Sequence, residues 1–256
     1  MMKKERFTGK IAIVTGGGTG IGAAIAKQLA DEGATVVVMG RRLEKLEETA
    51  ASTEGTVVPM VGDVACEDDI KRVIKDTMDK FGRIDLLANA AGIGAIGAHM
   101  ETLPLEQSRK IFEVNFWGTY IFCHETLPIM QKQGYGSIVN IASIDGMMGY
   151  DGEADYAASK AAVISISKCL ATENGANGVR INAIAPGWID TPMLDRAITS
   201  YAAAGIQVTK ETLRNGSMKR PGKPEEIAAG ACYLLSDDAS YVNGHTLVID
   251  GAKTLS

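Results

Sequence analysis

Tyr156, Lys160 and Ser143 have the types and spacing needed to move a proton to or from a substrate oxygen. Tyr156 and Lys160 lie four positions apart in an alanine-rich segment, so a helix would place them on one face, one turn apart. Ser143 comes thirteen residues before Tyr156, after a run rich in β-branched residues. A phenol has a pKa of about 10, and an exposed lysine would stabilise its phenolate by only about 0–1 kcal/mol. Tyr156 therefore needs a partly dry site and a second positive charge to accept a proton near neutral pH.

A glycine-rich loop follows the first predicted strand and suits the binding of phosphate groups. The strand at residues 11–15 runs directly into the loop, which opens a predicted helix. Gly16 permits a tight turn, Gly20 lets the main chain approach a pyrophosphate, and Gly22 lets the helix pack closely on the sheet. The N–H groups and partial positive charge of the helix N-terminus would attract the phosphates. The other loop residues assigned to a dinucleotide site are Gly18, Thr19 and Ile21.

Arg41 and Arg42 follow the second predicted strand, where a dinucleotide-binding fold holds the adenosine ribose. An acidic residue there would bind the ribose 2′-hydroxyl, but the first acid is Glu44, already on the next predicted helix. Paired arginines suit a 2′-phosphate because charge-assisted, bidentate hydrogen bonds are strong. The sequence therefore favours NADP(H). The alternative is NAD(H), with both arginines only solvated charges at the start of the helix.

Composition argues against nucleic-acid and membrane proteins. The 256 residues are 46% hydrophobic and 22% charged, and the formal net charge of −5 gives no footprint for a polyanion. The apolar run near the N-terminus is too short for a signal peptide or a membrane span. The four cysteines form no Cys-x-x-Cys pair, and the three histidines form no metal-spaced cluster. We expect free thiols, no metal site and a cytoplasmic protein.

Short β-branched runs alternate with helical patterns along most of the chain. This alternation predicts an α/β fold, a Rossmann-like, doubly wound parallel sheet of about seven strands with helices on both faces. Residues 1–256 show no linker or repeat, so a single domain is expected, with a glycine- and proline-rich substrate lid at about 188–222. The predicted strands are residues 11–15, 35–39, 56–61, 84–88, 137–141, 179–183 and 246–249. The predicted helices include residues 21–32, 43–51, 67–81, 105–132, 154–174, 194–204 and one starting near 225.

Taken together, these features resemble the single-domain branch of the short-chain dehydrogenase/reductase family over essentially the whole chain. Two departures from the family pattern are minor. Thr19 stands where many NADP-dependent members carry a basic residue, and Ala90 replaces the second asparagine of Asn-Asn-Ala-Gly. Beyond the residues above, the motifs are Asp63-Val64, Asn89-Ala90-Ala91-Gly92, Asn115, Pro186-Gly187, Thr191, residues 220–228 and Val248-Ile249-Asp250-Gly251.

The resemblance implies hydride transfer between a secondary alcohol, or its ketone, and a nicotinamide. Tyr156 would exchange the proton with the substrate oxygen, and Ser143 would hold that oxygen and its developing charge. Lys160 would acidify the phenol and hydrogen-bond the nicotinamide ribose. Asn115 would anchor a water relay that replenishes the proton.

The resemblance also implies cofactor contacts and an assembly. Asp63 would close the adenine site, and Ile189 with Thr191 would meet the nicotinamide carboxamide. A homotetramer is implied, pairing through the helices predicted at 105–132 and 154–174 and through the region 233–249. The remaining implied cofactor contacts are Val64, Asn89, Ala90, Gly92, Pro186 and Gly187.

The substrate is left open by the sequence. The pocket walls contain apolar residues, and acids surround them, which argues against an anionic substrate. We favour a small or medium secondary alcohol, sugar, polyol or steroid-like ketone. The alternatives are a 3-oxoacyl-type reductase and an NAD-dependent alcohol, polyol or hydroxysteroid dehydrogenase; a cofactor-sensing regulator is disfavoured because the catalytic side chains are present. The apolar candidates are Met147, Met148, Tyr150, Trp188 and Met193, and the acids are Asp145, Asp151, Glu153 and Asp155.

Overall fold

A single parallel sheet organises the computed structural model, which describes residues 5–203, 209–210 and 216–255. The strand order within this part of the chain is β3-β2-β1-β4-β5-β6-β7. The order reverses between β1 and β4, where a doubly wound sheet opens a crevice for ligands. The predicted fold is therefore confirmed. The strands are β1 (Ile11–Thr15), β2 (Thr35–Gly40), β3 (Thr56–Val61), β4 (Leu86–Asn89), β5 (Gly136–Ile141), β6 (Val179–Pro186) and β7 (Thr246–Ile249).

Helices cover both faces of the sheet. Along β1, Ala12 and Val14 face one core cluster and Ile13 faces the other, because side chains alternate between the two faces of a strand. The first cluster includes residues of α1 and α8, and the second includes residues of α3 and α5. Burial on both faces explains the near-continuous apolar runs of the strands. The helices are α1 (Gly20–Asp31), α2 (Leu43–Ala51), α3 (Glu67–Phe81), α4 (Leu105–Phe112), α5 (Gly118–Gln133), α6 (Ala154–Asn174), α7 (Pro192–Ala203) and α8 (Pro224–Leu235).

The helix predicted over 105–132 is interrupted. A π-helical turn, Glu113–Trp117, separates α4 from α5 and contains Asn115. Such turns add a residue to the helical repeat and are frequent at functional sites. Here the interruption coincides with hydrogen bonds from Asn115 to the main chain of Ile93, which lies outside the helix.

The segment predicted as a lid is described only in part, because residues 204–208 and 211–215 lie outside the described chain. Its two ends meet: Asp190 donates to the carbonyl of Gly222 and Gly222 donates to that of Trp188, both at 2.8 Å. These ties form a short parallel bridge between Ile189 and Gly222. No helix in the described part of the chain is long and apolar enough to cross a membrane.

Candidate active site

The glycine loop packs tightly against the turn that follows β4. Gly16 has a φ of +66°, and a Cβ atom there would lie 2.8 Å from the Cα atom of Ala91. A Cβ atom on Gly22 would lie 2.3 Å from the carbonyl oxygen of Gly16. Real side chains do not tolerate such distances, so glycine is required at both positions. The tight turn predicted at Gly16 is present, whereas Gly22 packs against the loop rather than directly on the sheet.

The N-terminus of α1 fits a phosphate group. Thr19 precedes the helix without capping it through its side chain, and the first turn carries no acid. Helix N–H groups without a side-chain partner bind anions, and an acid among them would repel a phosphate. The residues present therefore fit the pyrophosphate of a dinucleotide. Of the other loop residues, Gly18 lies against Lys45 of α2, and Ile21 packs on the core.

Replacing Gly22 by alanine is expected to weaken nicotinamide dinucleotide binding at least tenfold. The added methyl group would displace the main chain of Gly16 and widen the loop that receives the phosphates. Titration of reduced-nicotinamide fluorescence measures this change. The matched control is Gly149→Ala, which adds the same methyl group where no atom lies within 4 Å. Equal affinities in the two variants would contradict the assigned role of the loop.

Arg41 and Arg42 lie at the carboxyl end of β2, as predicted. Both side chains are exposed, and Arg42 immediately precedes α2. The guanidinium of Arg41 is 3.8 Å from the carboxylate of Asp63, which follows β3. This is a loose surface ion pair of little energetic value, so Arg41 can exchange it for another anion.

The loop after β4 is held by the end of β1. The hydroxyl of Thr15 accepts hydrogen bonds from the main-chain N–H groups of Ala90 and Ala91, both at 3.1 Å. Gly92 lies beside the catalytic residues, since a Cβ atom there would be 3.3 Å from the Asn115 amide oxygen and 3.4 Å from the Lys160 Nζ. This loop therefore connects the glycine loop to the catalytic residues.

Three residues assigned to the cofactor site turn their side chains into the core. Asn89 is buried and donates to the Asn140 side chain at 2.9 Å, while Ile189 and Val64 are part of the core clusters. Only their main chains are available to a ligand. A cofactor contact at these three positions would therefore be made through the main chain.

The end of β6 reaches the glycine loop. Gly187 continues from Pro186 and donates to the carbonyl of Ile249 at 3.0 Å. Further on, Thr191 lies against Gly20, where a Cβ atom would be 3.1 Å from the threonine methyl group. Thr191 thus lies beside the start of α1, where the sequence placed a cofactor contact.

The predicted catalytic side chains meet at the carboxyl edge of the sheet. Tyr156 and Lys160 share one face of α6, with the Lys160 Nζ 5.8 Å from the centre of the Tyr156 ring. Ser143, which follows β5, acts on the Tyr156 phenol and lowers its pKa. Lys160 is buried, and its ammonium donates to the carbonyl of Ile141 at 2.9 Å. The arrangement brings a phenol, a hydroxyl and an ammonium group to one place.

Asn115 connects this group to the β4 loop. Its amide oxygen accepts from the main-chain N–H of Ile93 at 2.8 Å, and its amide nitrogen donates to the Ile93 carbonyl at 3.0 Å. The amide nitrogen also lies 3.2 Å from the Ser159 hydroxyl, beside Lys160. Asn115 is fully buried, so these bonds fix the loop relative to α6.

The protein favours the uncharged phenol of Tyr156. Burial raises its pKa above the ordinary value, the Asp145 carboxylate raises it further, and the hydrogen bond with Ser143 opposes them. Burial also lowers the pKa of Lys160 to about 8, against the attraction of Asp145. The chain alone does not make Tyr156 a base, which agrees with the requirement for a second positive charge. Among the described residues, no group of three or more metal-ligating side chains is positioned to hold a metal ion.

The comparisons with known proteins agree with this geometry. Residues 16–253 match the short-chain dehydrogenase/reductase model described as Enoyl-(Acyl carrier protein) reductase. The chain belongs to the short-chain dehydrogenase/reductase family.

Named relatives span nearly the full length of this family member. Levodione reductase of Leifsonia aquatica is 36% identical over 255 residues, covering 97% of this chain and 96% of the relative. A 3-oxoacyl-(acyl-carrier-protein) reductase of Thermotoga maritima is 38% identical over 254 residues, covering 98% and 100%. A crystal structure of levodione reductase superimposes with a TM-score of 0.92 at 36% identity, covering 98% of this chain and 100% of the other. The family and fold predicted from the sequence are thus confirmed. The predicted enzyme class, an oxidoreductase acting on CH–OH groups, is confirmed as well.

Sequence reasoning missed two features of this dehydrogenase/reductase site. The sequence indicates Asp145 only as one of the acids around the substrate pocket. In the structure its carboxylate accepts a hydrogen bond from the Ser143 hydroxyl at 2.9 Å. Its position two residues after Ser143 was the available signal. The second is Lys45, whose Cβ and main chain pack against Gly18 while its ammonium is paired with Glu48. No signal in the sequence indicated this contact.

Proposed function

We propose that this enzyme interconverts a secondary alcohol and its ketone with NADP(H), using Tyr156 as the acid/base group. The observation that carries the proposal is the meeting of Tyr156, Ser143 and Lys160 beside the loop after β4, next to a glycine loop that fits a dinucleotide. The relatives named as a reductase of levodione and of a 3-oxoacyl group support carbonyl chemistry.

The bound nicotinamide supplies or accepts the hydride. During ketone reduction, Tyr156 donates its hydroxyl proton to the substrate oxygen, and Ser143 donates a hydrogen bond to the same atom as it gains negative charge. During alcohol oxidation the proton returns to Tyr156. The neutral phenol is already in the form that donates.

Lys160 and Asn115 support the proton transfer. The ammonium of Lys160 stabilises the phenolate that remains after Tyr156 has donated, since burial strengthens the attraction between them. Lys160 also hydrogen-bonds the nicotinamide ribose in this proposal. Asn115 holds the Ile93 main chain and anchors the water relay that returns a proton to the site.

The test of the proposal is a panel of secondary alcohols and ketones assayed with each nicotinamide by the absorbance of the reduced cofactor. We expect turnover with at least one class of substrate and higher kcat/KM with NADP(H). Cofactor binding without turnover of any member of a broad panel would favour a cofactor-sensing protein instead.

The preference for NADP(H) rests on the exposed arginines after β2. The double variant Arg41→Ala/Arg42→Ala is expected to lower kcat/KM for NADP(H) about tenfold to a hundredfold, because two charge-assisted contacts to the 2′-phosphate are lost. The value for NAD(H) should change little. A ratio of the two kcat/KM values that stays at the wild-type level would remove the argument for a 2′-phosphate.

We propose a homotetramer as the working assembly. Helix α5 and the π-helical turn before it expose Trp117 and Tyr120, which stack edge to face with ring centres 5.5 Å apart. Leu105 at the start of α4 is also exposed. Exposed aromatic patches are typical of interaction surfaces. Light scattering coupled to size-exclusion chromatography measures the assembly directly.

Further proposals concern the domain, the location and the substrate. One sheet joins β1 to β7 from opposite ends of the chain, which supports a single catalytic domain with a lid near 188–222. The free thiols of all four cysteines suit a cytoplasmic protein.

Two acidic residues, Asp145 and Glu153, act on Tyr156. Their negative charge disfavours an anionic substrate carried on an acyl-carrier protein. We therefore favour an alcohol or polyol substrate over a 3-oxoacyl substrate.

A further inference from the structure

The hydroxyl of Ser143 is directed at a carboxylate. Ser143 donates to Oδ2 of Asp145 at 2.9 Å, and the main-chain N–H of Asp145 donates back to the serine hydroxyl at 3.2 Å. Asp145 lies in the short 3₁₀ turn Ile144–Gly146 directly after Ser143. The single hydroxyl proton of Ser143 is therefore already used within the protein.

Asp145 also belongs to the surroundings of the reacting group. Its charge acts on both Tyr156 and Lys160, and its side chain interacts with that of Glu153. The Asp145 side chain is half-buried, and the turn that contains it follows β5 closely. A carboxylate in this position needs donors, because a partly desolvated acceptor that loses its hydrogen-bond partner is destabilised.

Substrate binding must disturb this arrangement. Ser143 can hold the reacting oxygen only by turning its proton away from Asp145, because a serine hydroxyl has one donor. Oδ2 of Asp145 then loses its partner at the moment of binding. A substrate that brings a donor of its own to this oxygen avoids the cost, and one without such a donor does not.

We propose that Asp145 is a specificity-determining residue that accepts a hydrogen bond from a hydroxyl on the carbon next to the reacting carbon. The preferred substrates are then vicinal diols and α-hydroxy ketones. The 2.9 Å between the Ser143 and Asp145 oxygens is the length of one O–H···O bond, and two hydroxyls on adjacent carbons can reach both groups. This inference rests on the proposed alcohol and ketone chemistry and extends it to a substrate class.

The size of the preference follows from the burial of the acceptor. Sites built to bond a substrate hydroxyl reject analogues that lack it by up to about 10⁴–10⁵ when the site is fully closed. Asp145 is only half-buried, so solvent recovers part of the loss. We expect a preference of about tenfold to a hundredfold in kcat/KM.

The test compares cyclohexane-1,2-diol with cyclohexanol, which differ only in the neighbouring hydroxyl, in the full-length enzyme. Wild-type enzyme should prefer the diol at least tenfold. Asp145→Leu should abolish that preference mainly through a lower kcat/KM for the diol. Asp145→Asn, which keeps an acceptor oxygen without charge, should retain a smaller preference and guards against misfolding of the leucine variant. Asp79→Leu, which removes an exposed acid of α3, is the matched control and should keep the wild-type ratio.

The readout is a ratio between two substrates, which a merely structural role of Asp145 would not move. Equal kcat/KM for the two substrates in the wild type would overturn the inference while leaving the oxidoreductase intact. A parallel fall for both substrates in Asp145→Asn, with dinucleotide affinity unchanged, would also overturn it. Absence of turnover with any alcohol or ketone would overturn the proposed function itself, so the two failures are distinguishable.

Discussion

Replacing Tyr156 by phenylalanine is expected to lower kcat by at least two orders of magnitude while leaving the affinity for the nicotinamide dinucleotide nearly unchanged. The substitution keeps the half-buried ring and removes only the phenolic hydroxyl. General acid–base groups accelerate reactions by about 10²–10⁴-fold. Tyr156 is the group to which we assign the proton transfer, so its loss should remove this contribution.

Steady-state rates and a fluorescence titration of the reduced cofactor separate the two effects of this substitution. Tyr135→Phe is the matched control, because it removes a tyrosine hydroxyl that bonds Asp237 away from the site. A Tyr156→Phe enzyme with wild-type turnover would refute the assignment of the acid/base group. A loss of cofactor affinity in step with turnover would instead place Tyr156 in binding.

Replacing Lys160 by methionine is expected to inactivate the enzyme and at the same time stabilise the chain in the absence of added cofactor. Burial lowers the pKa of Lys160 from 10.5 to about 8, so folding disfavours the charged form. A depression of this size lowers the free energy of unfolding by about 3 kcal/mol. The whole loss applies below pH 8, and it shrinks as the pH rises toward 10.5. Loss of the hydrogen bond to Ile141 offsets about 1 kcal/mol of the gain, which leaves about 2 kcal/mol at neutral pH.

Urea unfolding at pH 7 and near pH 10 measures this prediction, since the stability difference between Lys160→Met and wild type should shrink as the pH rises. Activity should fall by about 10³ because the phenolate loses its neighbouring charge. Lys168→Met, at an exposed position on the same helix, should change neither quantity. A Lys160→Met chain that is less stable than wild type at pH 7 would show that the ammonium stabilises the fold.

The fold could be predicted because its local signals agree with one another. Runs such as those of β1 and β2 are apolar on both faces, and the intervening helices follow at regular intervals, so the parallel sheet follows from chain geometry. The π-helical turn at Asn115 could not be predicted, because it accompanies hydrogen bonds to Ile93, which is distant in sequence. Local periodicity contains no information on such tertiary contacts.

The candidate site also contains features that the sequence predicts and features that it does not. The positions of Tyr156 and Lys160 on one helix face follow from their spacing, and the glycines of the loop follow from steric need. The direction in which a side chain points does not follow from the sequence, and the pairing of the Asn89 side chain with Asn140 in the core is an example. The direction of the Ser143 proton toward Asp145 depends on a turn of three residues whose geometry the sequence pattern does not specify.

The ties between Ile189 and Gly222 have an evolutionary consequence. They fasten the two ends of the intervening segment to each other, and Thr191 beside Gly20 fixes the near end against the start of α1. Insertions, deletions and substitutions between the ties can then accumulate without moving the anchored ends, since the closing entropy of a loop changes slowly with its length. If this segment contacts the substrate as proposed, sequence changes within it alter substrate choice without moving the start of α1.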